Sequence, residues 1–140
     1  MQEGKIRPIA ICVCRDGDRI LVTEFHEKDR LYYRPIGGGI EFGERGAEAV
    51  RREFHEEIAA ELTNIRYLGM LENIYTYDGL LAHQIVLIFD GHLVDAGLYE
   101  KDVIQGDELG QPFRALWKRL DEFGPTSPVY PDGLLALLRM

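Results

Sequence analysis

A run of glycines followed at once by an amphipathic helix is the feature that most limits what this chain can fold into. Four glycines fall within a short segment: Gly37, Gly38, Gly39 and Gly43. Glycine tolerates a left-handed backbone and a close backbone approach, so this segment is predicted to be a tight loop. Apolar residues then recur at helical spacing between Ala47 and Ile58, and residues 46–62 are predicted to form a helix.

Three carboxylates share one narrow face of the predicted helix. At about 100° per residue, Glu53, Glu56 and Glu57 lie side by side, next to the apolar stripe and not opposite it. Like charges four residues apart disfavour a helix, so this cluster calls for a compensating cation. Oxygen ligands select a hard ion such as magnesium, manganese or calcium. The alternative is a solvated charged face, in which Glu48 and Arg52 form a favourable pair.

The order of residues in this segment favours metal binding, because residues 38–60 resemble the Nudix box. That motif places a glycine, a glutamate, an arginine–glutamate pair and a later pair of glutamates at fixed spacings. The matching residues are Gly38, Glu44, Arg52, Glu53, Phe54, Glu56 and Glu57. Two residues depart from the motif, because Ala59 replaces its glycine and Ala60 replaces a larger hydrophobic residue.

The resemblance implies a hydrolase that cleaves the phosphoanhydride bond of a nucleoside diphosphate linked to another moiety. Water would attack a phosphorus atom with the help of bound Mg²⁺, for which Mn²⁺ can substitute. The implied metal ligands are the carbonyl of Gly38 and the side chains of Glu44, Glu53, Glu56 and Glu57.

Catalytic roles are implied in the same way. Glu53, Glu56 and Glu57 are the implied catalytic acids, and Arg52 is expected to orient a carboxylate through a paired contact. The general base stays open between a box glutamate, Glu53 or Glu56, and an acid from the later polar stretch. The candidates in that stretch are Glu100, Asp102, Asp107 and Glu108.

Aromatic residues and one arginine are the predicted substrate contacts. The aromatic side chains with the potential to stack on a base are Phe25, Tyr32, Tyr33, Tyr75 and Tyr77, although aromatic residues in strands usually serve the core. We predict that Tyr33, Arg34 and Tyr77 bind the substrate. Tyr77 follows the box at about the distance of a tyrosine in the diadenosine polyphosphate hydrolases of the family. His55 is predicted to be a surface residue despite its place in the box.

The rest of the chain is predicted to build a sheet around this helix. Strands are predicted over residues 5–14, 19–24, 32–35, 65–77, 82–90 and 113–120. Residues 95–112 are predicted to be irregular, and Pro131 is expected to open a C-terminal helix that reaches Leu138. The predicted fold class is α/β (α+β), a Nudix-like α/β/α sandwich with a mixed sheet, in a single domain over residues 1–140.

Composition limits the partners. The net charge of −8 argues against binding of duplex nucleic acid, but a nucleotide substrate remains compatible because a bound metal reverses the local sign. No membrane span or secretory signal is evident, and Cys12 and Cys14 are predicted to be buried and reduced. We therefore predict a cytoplasmic protein. Homodimers are frequent in the family, so a second copy of this chain is a candidate partner.

Three other functions fit the sequence less well. A non-catalytic Nudix-like module that senses nucleotides is the main alternative, but it has no need of Glu53, Glu56 and Glu57. A related isomerase of isoprenoid diphosphates would call for further cysteine and histidine ligands. A calcium-binding structural domain is disfavoured because residues 16–18 are too short for an EF-hand loop.

The two alanines at the end of the box predict an extended helix. Alanine is the best helix former and resists the left-handed conformation that glycine adopts at a helix end. We expect the helix to pass Ala59 and end between Leu62 and Asn64, with Asn64 as the left-handed residue.

Overall fold

The computed structural model describes residues 4–140 as eight strands and two α-helices. The strands are β1 (Ile6–Asp16), β2 (Arg19–Glu27), β3 (Arg30–Arg34), β4 (Gly37–Gly39), β5 (Leu62–Tyr77), β6 (Leu80–Leu93), β7 (Val103–Glu108) and β8 (Gln111–Arg119). The α-helices are α1 (Gly46–Ile58) and α2 (Leu134–Leu138), and short 3₁₀ helices cover Ala96–Glu100 and Leu120–Glu122. Among the described residues, no helix has the length and apolar character needed to cross a membrane.

The strands form one mixed sheet. Its order is β5-β6-β1-β2-β8-β7, with β3 paired to β2 and β4 paired to β1. The pairing of β1 with β6 is parallel, whereas the other pairings between named strands are antiparallel. Sequence-distant segments therefore meet at β1, which runs through the middle of the sheet and carries β4 and its glycines beside it.

Each face of the sheet supports a separate apolar core. Alternate residues of β1 point to opposite faces, so Ala10, Cys12 and Cys14 pack with α1, while Ile9 and its neighbours pack on the α2 side. Both cysteines are buried and free, as predicted. Two helices on opposite faces of a mixed sheet confirm the predicted α/β/α sandwich.

Tertiary pairing adds strands that the sequence pattern did not predict. The predicted glycine loop contains β4, which pairs with Ile9, Ala10 and Ile11 of β1. A side chain at Gly37 would place its Cβ 2.1 Å from the carbonyl oxygen of Ala10, so only glycine permits this approach. The predicted irregular stretch over residues 95–112 likewise contains a 3₁₀ helix and β7. At the C-terminus the helix begins at Leu134, later than Pro131.

The prediction that α1 passes Ala59 is wrong. The helix ends at Ile58, and Ala59 itself is left-handed, with φ 53° and ψ 37°. Ala60 and Leu62 are buried in the α1-side core, and Leu62 already pairs with Leu93 of β6. Burial of a leucine contributes roughly 1.5–3 kcal/mol, which exceeds the roughly 1–2 kcal/mol cost of a left-handed alanine. Asn64 is left-handed too, with φ 54°, but it lies at an irregularity in the β5–β6 pairing.

Candidate active site

Arg52 fixes the glycine-rich segment against α1. Its Nε and Nη2 donate to the two carboxylate oxygens of Glu44 at 2.8 and 3.0 Å, the paired contact that the sequence led us to expect. Nη2 also donates to the carbonyl of Gly39 at 3.0 Å. One arginine on the helix therefore holds both the start and the end of the preceding loop.

Both carboxylate oxygens of Glu44 are hydrogen-bonded within the box. Besides the contacts from Arg52, its Oε1 accepts from the backbone N–H of Glu41 at 3.1 Å. The hydrogen bond from Arg52 is the main reason that the pKa of Glu44 lies below its ordinary value. Glu44 is thus engaged as the partner of Arg52, and its role as a metal ligand stays a prediction.

Glu48 does not form the pair with Arg52 that a solvated charged helix face would contain. It accepts a hydrogen bond from the backbone N–H of Arg45 at 3.0 Å and so stabilises the start of α1. The predicted pairing of Glu48 with Arg52 is replaced by this contact, because Arg52 turns towards Glu44. His55 is exposed, as the helical wheel predicted.

Glu53 lies directly against the backbone of Gly38. A Cβ added to Gly38 would approach Glu53 Oε1 to 2.6 Å, so any larger residue would displace this carboxylate. Glu53 Oε1 also accepts from Arg52 Nη1 at 3.0 Å. The side chain is held from two sides, next to the main chain that the box resemblance implies as a further ligand.

Glu57 is a buried carboxylate with one oxygen that lacks a hydrogen-bond partner. The residue is 7% exposed, and its Oε2 has no hydrogen-bond partner among residues 4–140. Burial, followed by the hydrogen bond and negative charge of Glu53 and the charge of Glu108, raises the pKa of Glu57 to about 9. The charge of Arg34 opposes this rise. An anionic Glu57 needs a cation, and its unpaired oxygen beside Glu53 fits a hard metal ion.

Glu56 stands apart from this pair. It accepts a 3.4 Å contact from Arg52 Nη1 and remains exposed. Within residues 4–140, no three acidic, histidine or cysteine side chains gather closely enough to form a complete metal site. The structure therefore brings Glu53 and Glu57 together, whereas the carboxylate of Glu56 contacts Arg52.

The four candidate acids outside the box occupy different positions. Glu108, at the end of β7, is near enough to influence the pKa of Glu57. Asp107 accepts from the backbone N–H of Gly110 at 2.7 Å and stabilises the β7–β8 turn. Glu100 and Asp102 are exposed around the start of β7. Glu108 is therefore the candidate with an electrostatic effect on a box carboxylate.

A second part of the site is an aromatic cleft of about 340 Å³ between the β2–β3 and β5–β6 hairpins. Aromatic rings form much of its lining: Phe25, Tyr32, Tyr75, Tyr77 and Tyr130. Phe25 and Tyr32 stack with their ring centroids 4.9 Å apart. The cleft thus offers flat apolar surfaces to a planar group.

Arg34 connects the cleft to the carboxylates. Its guanidinium carbon lies 5.4 Å from the centre of the Phe25 ring, and its charge acts on Glu57. Its Nε is buried and donates to no residue among those described. Two predicted substrate contacts, Arg34 and Tyr77, therefore line the same cleft, and the charge of Arg34 also acts on the box carboxylate Glu57.

Tyr33 does not fit its predicted role in substrate binding. It is 3% exposed and packs edge-on against Phe123, with the ring centroids 5.6 Å apart. Successive residues of β3 point to opposite sides, so Tyr33 enters the α2-side core while Tyr32 and Arg34 reach the cleft. The sequence showed this alternation but not which side would be buried.

Arg7, which no sequence pattern marked as functional, lies beside the box. It lines an open cavity of about 520 Å³ with Gly39, Glu41, Arg52 and Glu53. A Cβ on Gly39 would come within 3.0 Å of Arg7 Nη2, so the glycine leaves the space that the guanidinium uses. No spacing rule links Arg7 to the box, because only the pairing of β1 with β4 brings them together.

Comparisons with known proteins agree with this geometry. Residues 5–133 match the family described as NUDIX domain. The MutT NUDIX hydrolase of Burkholderia pseudomallei superposes with a TM-score of 0.72 over 97% of this chain and 98% of that chain, at 19% identity. A MutT protein from Bacillus halodurans gives a TM-score of 0.64 over 96% of this chain and 80% of that chain, also at 19% identity. The chain belongs to the Nudix family.

Curated relatives are named for a more specific reaction. The NAD-capped RNA hydrolase NudC of Pseudomonas aeruginosa is 27% identical over 124 residues, which are 89% of this chain and 40% of that protein. The NudC of Vibrio vulnificus is 37% identical over 65 residues, 46% of this chain and 25% of that protein. The chain spans less than half the length of these curated relatives.

Proposed function

We propose that this protein is a Nudix-type pyrophosphohydrolase that cleaves the phosphoanhydride bond of a nucleoside diphosphate linked to another moiety. The observation that carries the proposal is Arg34, which lies between an aromatic cleft and a buried carboxylate with an unpaired oxygen. A nucleotide conjugate has a planar base, which suits the aromatic cleft, followed by a diphosphate, which suits the arginine and a metal held by the carboxylates. The box carboxylates then lie on the diphosphate side.

A divalent cation, Mg²⁺ with Mn²⁺ as a substitute, fits the box. Glu53 and Glu57, joined by Glu56 and the carbonyl of Gly38, would hold it, and their oxygen-only chemistry suits a hard ion. When bound, such an ion supplies charge stabilisation on the phosphate oxygens and lowers the pKa of attacking water. Glu44 contributes indirectly in this account, by fixing Arg52.

The chain's own cations would position the diphosphate. Arg34 lines the cleft, and Arg7 lines the separate cavity that Glu53 also lines. A guanidinium binds phosphate oxygens through directed N–H groups, so two such groups fix the direction of the diphosphate. We expect the phosphoanhydride bond to lie at the box in this account, so that one product is a nucleoside monophosphate.

Glu108 is the proposed general base outside the box, with Glu53 and Glu56 as the internal alternatives. Glu108 is close enough for its charge to act on Glu57, and its exposure allows it to accept a proton from water and release it to solvent. Glu53 already accepts a hydrogen bond from Arg52 and serves as a metal ligand in this account.

The other predictions remain proposals for the protein in solution. These are a single domain over residues 1–140, a cytoplasmic location and a homodimer. The named activity of the curated relatives adds a second substrate candidate, an NAD-type dinucleotide at the end of an RNA. The net charge of −8 favours a free nucleotide conjugate over a long RNA, because phosphate contacts along RNA depend on basic residues.

A substrate screen tests this proposal. The purified protein is incubated with nucleoside triphosphates, ADP-ribose, NAD, diadenosine polyphosphates and an NAD-capped RNA, each with Mg²⁺ or Mn²⁺. We expect a nucleoside monophosphate from at least one conjugate. Binding of these ligands without turnover at any metal concentration would favour the nucleotide-sensing alternative.

A further inference from the structure

The two hairpins that form the walls of the aromatic cleft are not paired with each other in the sheet. One is the β2–β3 hairpin and the other is the β5–β6 hairpin, and within residues 4–140 no strand ladder joins a strand of the first to a strand of the second. Backbone hydrogen bonds between strands therefore do not set the width of the cleft. It depends on the side chains through which the two hairpins touch.

The tips of the two hairpins meet at one end of the cleft. Lys28, in the β2–β3 turn, forms an ion pair with Asp78, in the β5–β6 turn, and both residues line the cleft. Of the ion pairs within residues 4–140, this is the one that joins the two hairpins. Lys28 precedes β3 and Arg34 ends it, so the ion pair closes the end of the cleft away from Arg34.

Tyr77 takes part in the same contact between the tips. Its ring centre lies 5.8 Å from Nζ of Lys28, within reach of a cation–π interaction. The negative charge of Glu27 is the main reason that the pKa of the Tyr77 hydroxyl lies above its ordinary value. Glu27 and Lys28 of one hairpin thus both act on an aromatic wall residue of the other hairpin.

This ion pair is a poor candidate for a stabiliser of the fold. The side chains of Lys28 and Asp78 are 70% and 50% exposed, and an exposed ion pair adds little to the free energy of unfolding. Its position gives it a different effect. A ligand between two hairpins binds more weakly in proportion to the fraction of molecules in which the hairpins stand apart. A contact that is weak for folding can therefore change the affinity of the cleft severalfold.

We propose that Lys28 and Asp78 are positioning residues for the substrate base, because their ion pair holds the two hairpins at the separation at which the aromatic walls contact a planar ring. The inference rests on the proposed function, in which the cleft holds the base. The pair touches none of the reacting atoms, so it acts on binding and not on the chemical step. KM for the substrate should depend on the pair, whereas kcat should not.

Neutral variants of the two residues test this inference. Lys28→Asn and Asp78→Asn each remove one charge, and asparagine tolerates the positive φ of these positions, 49° and 51°. The dissociation constant is measured by titration calorimetry for whichever of AMP, GMP, CMP and UMP binds tightest. It should rise about two- to fivefold in each variant, or by ~0.4–1 kcal/mol. The double variant should bind no more weakly than the weaker single variant, because the pair is already broken.

Asp78→Asn separates this effect from general electrostatics. The substitution makes the protein less negative, so a simple charge effect would tighten the binding of an anionic nucleotide, whereas we expect weaker binding. Arg66→Asn and Asp90→Asn are the matched controls, because they break an exposed ion pair of 2.7 Å within the β5–β6 hairpin. Both controls should leave the dissociation constant unchanged.

Binding of the monophosphates is measured without turnover, so the outcome separates from that of the proposed hydrolysis. Weaker binding in both single variants and in neither control would support the inference, even in a protein that hydrolyses nothing. Unchanged or tighter binding in Asp78→Asn would overturn it, and so would additive losses in the double variant, even if the substrate screen shows hydrolysis. Failure of the wild-type protein to bind any of the four monophosphates would overturn it as well.

Discussion

Glu57 shows how a single residue can be costly to the fold and useful to the site. It is nearly buried and lies beside Glu53, so its charged form is disfavoured, and its pKa rises to about 9. The folded protein therefore binds a proton more tightly at Glu57 than the unfolded chain does. This contribution to stability is complete below the ordinary carboxyl pKa and is lost as the pH rises towards about 9.

We predict that metal-free wild-type protein loses stability between about pH 5 and about pH 8.5, and that Glu57→Gln loses less. Glutamine has the same shape, carries no charge and can donate its amide N–H to Glu53. Urea unfolding at several pH values, after treatment with a chelator, measures the difference. If stability changed with pH equally in the two proteins, folding would not raise the pKa of Glu57, and the prediction would be wrong.

Arg7 supports a second prediction at this scale. It lines the cavity beside Glu53 and forms no ion pair with the described acids, so it is available to a phosphate group. Arg7→Gln should raise KM severalfold and change kcat less, because the guanidinium binds the substrate and takes no part in proton transfer. Lys5→Gln is the matched control, since it removes one exposed positive charge close by in the sequence. An equal rise in KM in both variants would indicate a general charge effect.

At the scale of elements, the end of α1 shows where local propensity fails. Ala59 and Ala60 favour a longer helix, yet β5 begins at Leu62 and its pairing with β6 requires the chain to turn. Ala59 takes the left-handed conformation, and the backbone N–H of Ala60 donates to the carbonyl of Phe54 at 3.2 Å. Long-range strand pairing thus decides the boundary of the helix.

This geometry makes glycine favourable at the helix end. Ala59→Gly should stabilise the protein by about 0.5–1 kcal/mol, because glycine adopts the left-handed conformation freely but loses more backbone entropy on folding. Ala60→Gly is the matched control and should destabilise, since Ala60 is buried and not left-handed. Thermal unfolding of both variants checks the pair. Destabilisation by Ala59→Gly would mean that the helix continues in solution.

The box could be predicted from the sequence because its residues are close together on one helix. The helical wheel alone placed Glu53 beside Glu57 and turned His55 towards solvent. The contact between Arg52 and Glu44 also spans only eight residues. Local geometry fixes such contacts, so the sequence pattern contains them.

The cleft and its cations could not be predicted in the same way. The cleft forms between two hairpins that are far apart in the sequence, and Arg7 meets Gly39 only through sheet pairing. Tyr33 and Tyr32 are neighbours of the same chemical kind, and only packing against Phe123 puts Tyr33 in the core. Strand alternation offered two choices of face, and the tertiary structure selected one of them.

At the scale of the whole molecule, the sheet places two different surfaces on either side of one arginine. Box carboxylates lie on α1, the aromatic cleft lies between two hairpins, and Arg34 of β3 reaches both. The negative net charge of the chain then requires a bound cation before a phosphate can approach the carboxylates. Metal binding and substrate binding should accordingly be coupled.

The most direct test of this account is the metal dependence of cleavage, measured with the best conjugate from the substrate screen. The wild-type protein should release a nucleoside monophosphate only when Mg²⁺ or Mn²⁺ is present. Glu57→Gln should lower kcat by on the order of a hundredfold, because the amide is a weaker and neutral ligand. His55→Ala, which alters an exposed residue of the same helix, should retain nearly full activity. Undiminished turnover after exhaustive chelation, or wild-type turnover in folded Glu57→Gln, would contradict the account.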